Sequence, residues 1–299
     1  MTSPCCPPDA LPALKFDYKP KGEHFELPGV ASRSSSCKLY VVGASPSDDT
    51  WKDRGPVLVM SSDIFGPFSG MHCKLADEFA SRTGGIALLP DPFEGTGGLV
   101  PRYGEEEDKP NRLGFNIFTW NLVTGFLWNA KSFIQRYPWD GNLQYLCKDQ
   151  LIPYLQSKGV EKFAMMGFCF GSWMILKACN DDAIAEHVTC GIHFHPASEL
   201  MEKNHFGGDD VGLCRTCKGP QLIHATKNES ANWKPDGAAH KALEENENVQ
   251  EVQFTLARNT QSHGFMTRVD TNIEDNRSAI KEGVDCAMGF LEKYNTKSS

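Results

Sequence analysis

Cys169 stands between two glycines in the stretch MMGFCFGSW, residues 165–173, with Gly167 and Gly171 each two positions away. A thiol so placed can attack a carbonyl carbon, provided that it ionises. The run before it, Lys162 to Met166, is apolar enough for a buried strand, and the run after it, Trp173 to Ala178, consists of good helix formers. Strand, Gly-x-Cys-x-Gly, helix is the layout of a nucleophile elbow, with cysteine where serine is more usual. The glycines remove side chains where the chain crosses itself closely, and the helix starting near Ser172 points its positive end at the sulfur. That field favours thiolate over thiol. A free thiol titrates near pH ~8.5, so a modest lowering makes it a nucleophile at neutrality. The motif alone fits a small buried residue at a tight turn equally well, because buried cysteines are common.

A thiol nucleophile needs a base, and the base needs a group to orient it. His263 follows the strand-like run VQFTLAR, in the loop QSHGFMTR. By itself it is a surface histidine, but Gly264 and Phe265 beside it indicate a loop packed close to something. Glu229 lies just past the run PQLIHAT, with Asp236 further on as the alternative acid. Cys169, Glu229, His263 is the chain order nucleophile, acid, base of α/β-hydrolase triads.

These residues must be carried by a sheet. Near-continuous apolar runs occur at KLYVVGAS, PVLVMSSD, GIALLPD, KFAMMGFC, HVTCGIHFHP, PQLIHAT and VQFTLAR, as strands buried on both faces require. Helical patterns lie between them, at SGMHCKLADEFASRT, NLQYLCKDQLIPYLQSKG, SWMILKACN and DGAAHKALEEN, and SAIKEGVDCAMGFLEKY closes the chain. The alternation predicts an α/β fold: a mainly parallel sheet of about seven strands with helices on both faces. Ligands of such sheets bind beyond the carboxyl ends of the strands, where Cys169 sits. Residues 1–36, rich in Pro, Gly and Ser, are expected to form an extended arm with little regular structure, and residues 37–299 one domain. The excursion between Asp91 and Lys162 is too long for one crossover. Its aromatic segment RLGFNIFTWNLVTGFLWNAKSFIQRYPW reads as an amphipathic helix covering the sheet, and residues 113–135 could also roof a pocket.

The chain has 299 residues, is 40% hydrophobic and 23% charged, and carries a net charge of −8. The acidic balance, with no Lys/Arg run, argues against a nucleic-acid partner. No apolar run has the length of a membrane span, and the start lacks the basic and apolar regions of a secretory signal. Eleven cysteines, an odd number in a chain too long to need disulfide staples, read as reduced thiols in the cytoplasm. CRTC, Cys214 to Cys217, has metal-ligand spacing that Cys5 and Cys6 could complete. A structural zinc needs four ligands, however, and no second C-x-x-C or H-x₃-H is present. A redox pair is the other reading of that motif.

Taken in order, SDIFG, LLPDPFEG, GFCFGS, FHPAS and HGFMTR resemble the successive motifs of the dienelactone hydrolases, α/β-hydrolases with a cysteine nucleophile. CCPPDALPALKFDYKPKG looks like the amino-terminal arm of the eukaryotic members. The resemblance covers most of the chain and implies an α/β-hydrolase fold, an ester or lactone substrate, an acyl-thioester intermediate, and no metal or organic cofactor. It implies further roles residue by residue. Asp63, one methylene shorter than the bacterial glutamate, would lie beside the thiol and take part in its activation. The amides of Ile64 and Phe170 would hold the oxyanion. Glu229, where the family more often has aspartate, would orient His263. Arg268 would grip a substrate carboxylate, with Arg102 and Arg112 as further candidates, and His195 would border the pocket. Rival readings are a broad carboxylesterase or thioesterase, a non-catalytic protein binding a small ligand, and a zinc or redox protein built on CRTC. Cys169→Ala is expected to abolish hydrolysis with the fold intact, and Cys169→Ser to be far weaker than wild type because a hydroxyl ionises at much higher pH. Ester turnover alongside circular dichroism checks both, and full activity in Cys169→Ala would remove the thiol from the mechanism.

Overall fold

The computed structural model describes residues 18–27, 37–93 and 131–294. Arg102, Arg112, Cys5, Cys6 and most of the aromatic excursion lie outside the described residues. Eight strands form one sheet: β1 (Glu23–Leu27), β2 (Cys37–Val42), β3 (Val57–Ser61), β4 (Ile86–Pro90), β5 (Phe163–Phe168), β6 (Val188–Phe194), β7 (Gln221–Ala225) and β8 (Val252–Leu256). Their order across the sheet is β1-β2-β4-β3-β5-β6-β7-β8. β1 and β2 run antiparallel to their neighbours, and the other pairings are parallel.

The seven apolar runs became β2 to β8. To the expected set of about seven the structure adds β1, a short strand within the stretch expected to be an extended arm with little regular structure. EHFEL pairs with β2 from Glu23↔Val41 to Leu27↔Cys37, yet Glu23, His24 and Glu26 are exposed and only Leu27 is buried. An edge strand takes its hydrogen bonds from one neighbour and keeps its charges in water, so no apolar run announces it.

Helices cover both faces: α1 (His72–Thr83), α2 (Ile152–Ser157), α3 (Phe170–Ala178), α4 (Asp210–Thr216), α5 (Ala238–Glu244) and α6 (Glu274–Tyr294). A kinked segment, Trp139–Leu143, whose Asp140 and Gly141 are not helical, and a π-helical turn, Leu146–Leu151, precede α2. The central strands alternate between the two layers. Val57, Val59, Phe163 and Met165 face the layer of α3, α4 and α5, with Trp173, Cys214 and Leu243. Leu58, Met60, Ala164 and Met166 face the layer of α1 and α6, with Phe79 and Phe290. This period of two, apolar on both sides, is why the strands read as unbroken apolar runs. α4 was not anticipated, because DVGLCRT is only seven residues long and holds Gly212, too short a run for the helical period to show; its helix start is capped by the Asp209 side chain accepting from the Val211 amide.

α3 crosses β3 and β5 so closely that no side chain fits between them. A Cβ on Gly171 would lie 2.2 Å from the Ser61 carbonyl oxygen, and one on Gly167 2.4 Å from the Gly171 backbone. Neither obstacle is a flexible side chain that could swing away. Gly171→Ala is therefore expected to destabilise the fold by at least ~1–3 kcal/mol, as overpacking does. Gly289→Ala on α6, where a Cβ meets nothing within 4 Å, should instead stabilise it, by about 0.5–1 kcal/mol. Urea melts of the two variants against wild type measure the difference.

Candidate active site

At the end of β5 the chain enters α3 through Cys169, which adopts φ 55° and ψ −110°. Among described residues other than glycine, positive φ occurs at Cys169, His195 and Asp236. Two of these, Cys169 and His195, end the neighbouring strands β5 and β6. Such backbone persists only where its surroundings hold it. Here the Cys169 amide donates to the Phe194 carbonyl (3.1 Å), while the Cys169 carbonyl accepts from the amides of Ser172 (3.1 Å) and Ala197 (3.3 Å). The Ser172 hydroxyl adds bonds to the carbonyls of Gly167 and Phe194, at 2.8 and 3.1 Å. The elbow is thus tied to β6, and Cys169 is buried.

The loop after β8 brings His263 to the loop after β7. His263 Nδ1 lies 2.9 Å from Glu229 Oε2, and the Thr226 hydroxyl donates to Glu229 Oε1 at 2.7 Å. A carboxylate only accepts, so Nδ1 carries the proton and Nε2 the lone pair. Both side chains are buried. Asp236, the alternative acid, is exposed beside α5, where its amide donates to His240 Nδ1. The His195 ring meets the His263 ring edge-on, with centroids 4.9 Å apart.

In the parallel pairing of β3 and β5, Ser61 lies opposite Gly167. Two residues further along each chain stand Asp63 and Cys169, at the same sheet edge. Asp63 is buried and held on both oxygens. Arg268 donates Nη2 to Oδ1 and Nε to Oδ2, both at 2.7 Å; the Phe65 amide bonds Oδ1 at 3.0 Å, and the Thr267 hydroxyl Oδ2 at 3.0 Å. Burial alone would raise the Asp63 carboxyl, but the Arg268 charge and these donors outweigh it and bring its pKa down to about 2. Arg268, assigned to a substrate carboxylate by resemblance, thus spends two donors on Asp63 and a further Nη2 bond of 2.6 Å on the Ser69 hydroxyl. Its guanidinium lies 4.3 Å from the Phe65 ring centroid. Buried Nη1 has no hydrogen-bond partner among the described residues.

The amides of the turn after β3 are nearly all in use. Asp63 N–H reaches His72 Nε2 (3.3 Å), Phe65 N–H the Asp63 side chain, and Gly66 N–H the Asp63 carbonyl (3.1 Å). The Ile64 amide has no hydrogen bond among the described residues, nor has that of Phe170, the first residue of α3. Both residues are buried. Buried backbone donors without partners are rare, and two that flank a nucleophile elbow suit an oxyanion. On the side of the aromatic excursion, the helical residues 131–136 and Tyr137 pack Phe133 and Tyr137 against Phe93, whose ring lies 5.6 Å from that of Phe170.

Sequence reasoning missed His72, Ser69, Thr226 and Thr267, polar residues whose only signal is closeness in sequence to the motifs. Cys214, on α4, and Cys217, just past its end, are free and buried, as is Cys179 just after α3. Among the described residues, no group of three or more His, Cys, Asp or Glu could hold a metal ion, and no helix is long and apolar enough to cross a membrane.

A family described as the dienelactone hydrolase family matches residues 42–295. No curated protein matches the chain. Among solved structures, a protein described as a dienelactone hydrolase from Klebsiella pneumoniae is 13% identical, with a TM-score of 0.60 over 93% of this chain and 100% of the other. A dienelactone hydrolase from Anabaena variabilis is 15% identical, with a TM-score of 0.50 over 93% of this chain and 100% of its own. An acylaminoacyl peptidase from Pyrococcus horikoshii is 13% identical, with a TM-score of 0.58, and this chain covers 43% of it. At these identities the likeness is one of fold, and the fold is that of the α/β-hydrolases.

The Asp63–Arg268 pair links stability to pH. With its folded pKa depressed, Asp63 contributes stability above its unfolded value of ~3.9, and the contribution is lost as pH falls toward about 2. Asp63→Asn, which leaves Arg268 buried and unpaired, should cost ~3–5 kcal/mol at pH 7. The gap from wild type should narrow between pH 4 and 2. Denaturant melts across that range measure it, and a gap that stays constant would mean that Asp63 is not ionised in the fold.

Proposed function

The chain belongs to the dienelactone hydrolase family and is a hydrolase of ester bonds; from that premise we propose that it is a cysteine hydrolase of small esters or lactones working through a thioester. Cys169 sulfur attacks the substrate carbonyl carbon. The oxygen, taking up the carbonyl π electrons, is held by the amides of Ile64 and Phe170. Collapse of the adduct breaks the bond to the leaving oxygen, which takes the proton that His263 Nε2 received from the thiol. Water then attacks the thioester, giving its proton to His263, and the acid leaves with the thiol restored. Glu229 orients the imidazole through Nδ1 and stabilises its charged form.

The observation that carries this reading is the pair of buried amides, Ile64 and Phe170, that have no hydrogen-bond partner among the described residues and belong to the turn after β3 and the elbow after β5. Asp63 has a part in the reading when the substrate is anionic. A substrate carboxylate engaging Arg268 through Nη1 would weaken the hold on Asp63, raise its basicity and let it take the thiol proton. The tight resting pair favours the second reading, a broad carboxylesterase, in which Arg268 stays with Asp63 and the substrate is neutral. His195 borders the site in either case. The protein is further read as a eukaryotic-type member, with residues 1–36 as an arm apart from β1, and as working in the reducing cytoplasm where its thiols survive.

A hydrolysis screen of small esters and lactones with and without a carboxylate separates the two substrate classes. His263→Asn is expected to lower turnover by ~10²–10⁴-fold, as loss of a general base does. The variant should stall after acylation or fail to acylate, and mass spectrometry should find any acyl group on Cys169. Acylation of another residue, or undiminished turnover, would overturn the assignment.

A further inference from the structure

His72 opens α1 fully buried and against the turn that follows β3. Its two ring nitrogens meet groups of opposite kind. Nδ1 lies 2.8 Å from the Ser69 carbonyl oxygen, which can only accept, so Nδ1 bears the proton. Nε2 lies 3.3 Å from the Asp63 backbone nitrogen, whose N–H can only donate, so Nε2 offers its lone pair. The ring is therefore the neutral Nδ1–H tautomer, and burial, which lowers its pKa, acts in the same direction. A proton on Nε2 would point at the Asp63 N–H. It could turn only toward Asp63 Oδ2, 3.7 Å away, which already accepts from Thr267 and Arg268. The ring edge also rests on Phe168, the residue before Cys169, at 5.5 Å and 83°. One side chain thereby touches the strand end that delivers the nucleophile and the turn that carries Ile64.

We propose that His72 is a positioning residue of the oxyanion hole, holding the Asp63 amide so that the next amide, Ile64 N–H, is aimed at the developing oxyanion. This rests on the reading of Ile64 as an oxyanion donor. The peptide entering the turn is fixed by His72, and the two that leave it are fixed by Phe65 N–H and Gly66 N–H on Asp63. Without the first anchor the turn is held on one side only. Preorganisation is where an oxyanion hole derives its effect, because donors that must reorient during the reaction lose their advantage over water.

The test compares His72→Leu, which fills the space without a lone pair, with His72→Gln, whose Oε1 can accept from the Asp63 amide. His72→Leu is expected to lower kcat by ~10–100-fold with KM within about twofold, part of what losing a whole oxyanion donor costs. His72→Gln should recover most of the loss. Hydrogen exchange of the Asp63 amide should quicken in His72→Leu and return toward wild type in His72→Gln. If His72→Leu does not fold, His72→Asn, which keeps a donor for Ser69 but no acceptor for Asp63, takes its place. An active wild type with unchanged kcat in the Leu variant, or equal losses in Leu and Gln, overturns the proposal alone. A wild type that hydrolyses no ester overturns it together with the functional reading, and the exchange of the Asp63 amide then still shows whether His72 holds that turn.

Discussion

Between Gly171 and the carbonyl of Ser61 there is no room for a methyl group. That contact lets α3 start directly over the ends of β3 and β5, and the geometry around Cys169 follows from it. A bulkier residue would lift the helix away, carrying the Phe170 amide away from that of Ile64. The strain at Cys169, with its positive φ, is held by the same crossing and by the bonds to β6. Glycine here trades backbone entropy in the unfolded chain for a close approach that no other residue permits.

Around this crossing the buried charges are arranged so that each meets its complement. Asp63 and Arg268 neutralise one another and are hydrogen-bonded on every carboxylate lone-pair direction that the fold uses. Glu229 meets His263 and the Thr226 hydroxyl. His72, between these groups and the sheet, stays neutral because one nitrogen faces an acceptor and the other a donor. A buried ion pair adds little net stability, since desolvation offsets its attraction, but breaking it leaves a charge stranded. Asp63 and Arg268 are therefore better understood as fixing the turn after β3 than as a source of stability. The same tight pairing sets the threshold that an anionic substrate would have to overcome.

Much of this was legible in the residues. Buried parallel strands must be apolar on both faces, so β2 to β8 show as unbroken runs; glycine must stand where helix meets strand, so the elbow shows as Gly-x-Cys-x-Gly. β1 escaped because its charged side chains face water. α4 escaped because seven residues around a glycine are too few for the helical period to show. The polar residues behind the site, Ser69, His72, Thr226 and Thr267, carry no signal beyond closeness to the motifs, since nothing in a short window distinguishes a threonine at the surface from one bonded to a buried carboxylate.

The sequence by itself determined the kinds of elements, the elbow, and the chain order of thiol, acid and base, because each of these is written in spacing over a few residues or in simple succession. Partnership was decided only in three dimensions. Arg268 finds Asp63 across 205 residues, and Glu229 rather than Asp236 finds His263. Strand order sets these meetings by bringing the ends of β3, β5, β7 and β8 to one edge. Hydrogen bonding in a dry interior then selects, among several candidates of the right type, the one whose donors and acceptors match.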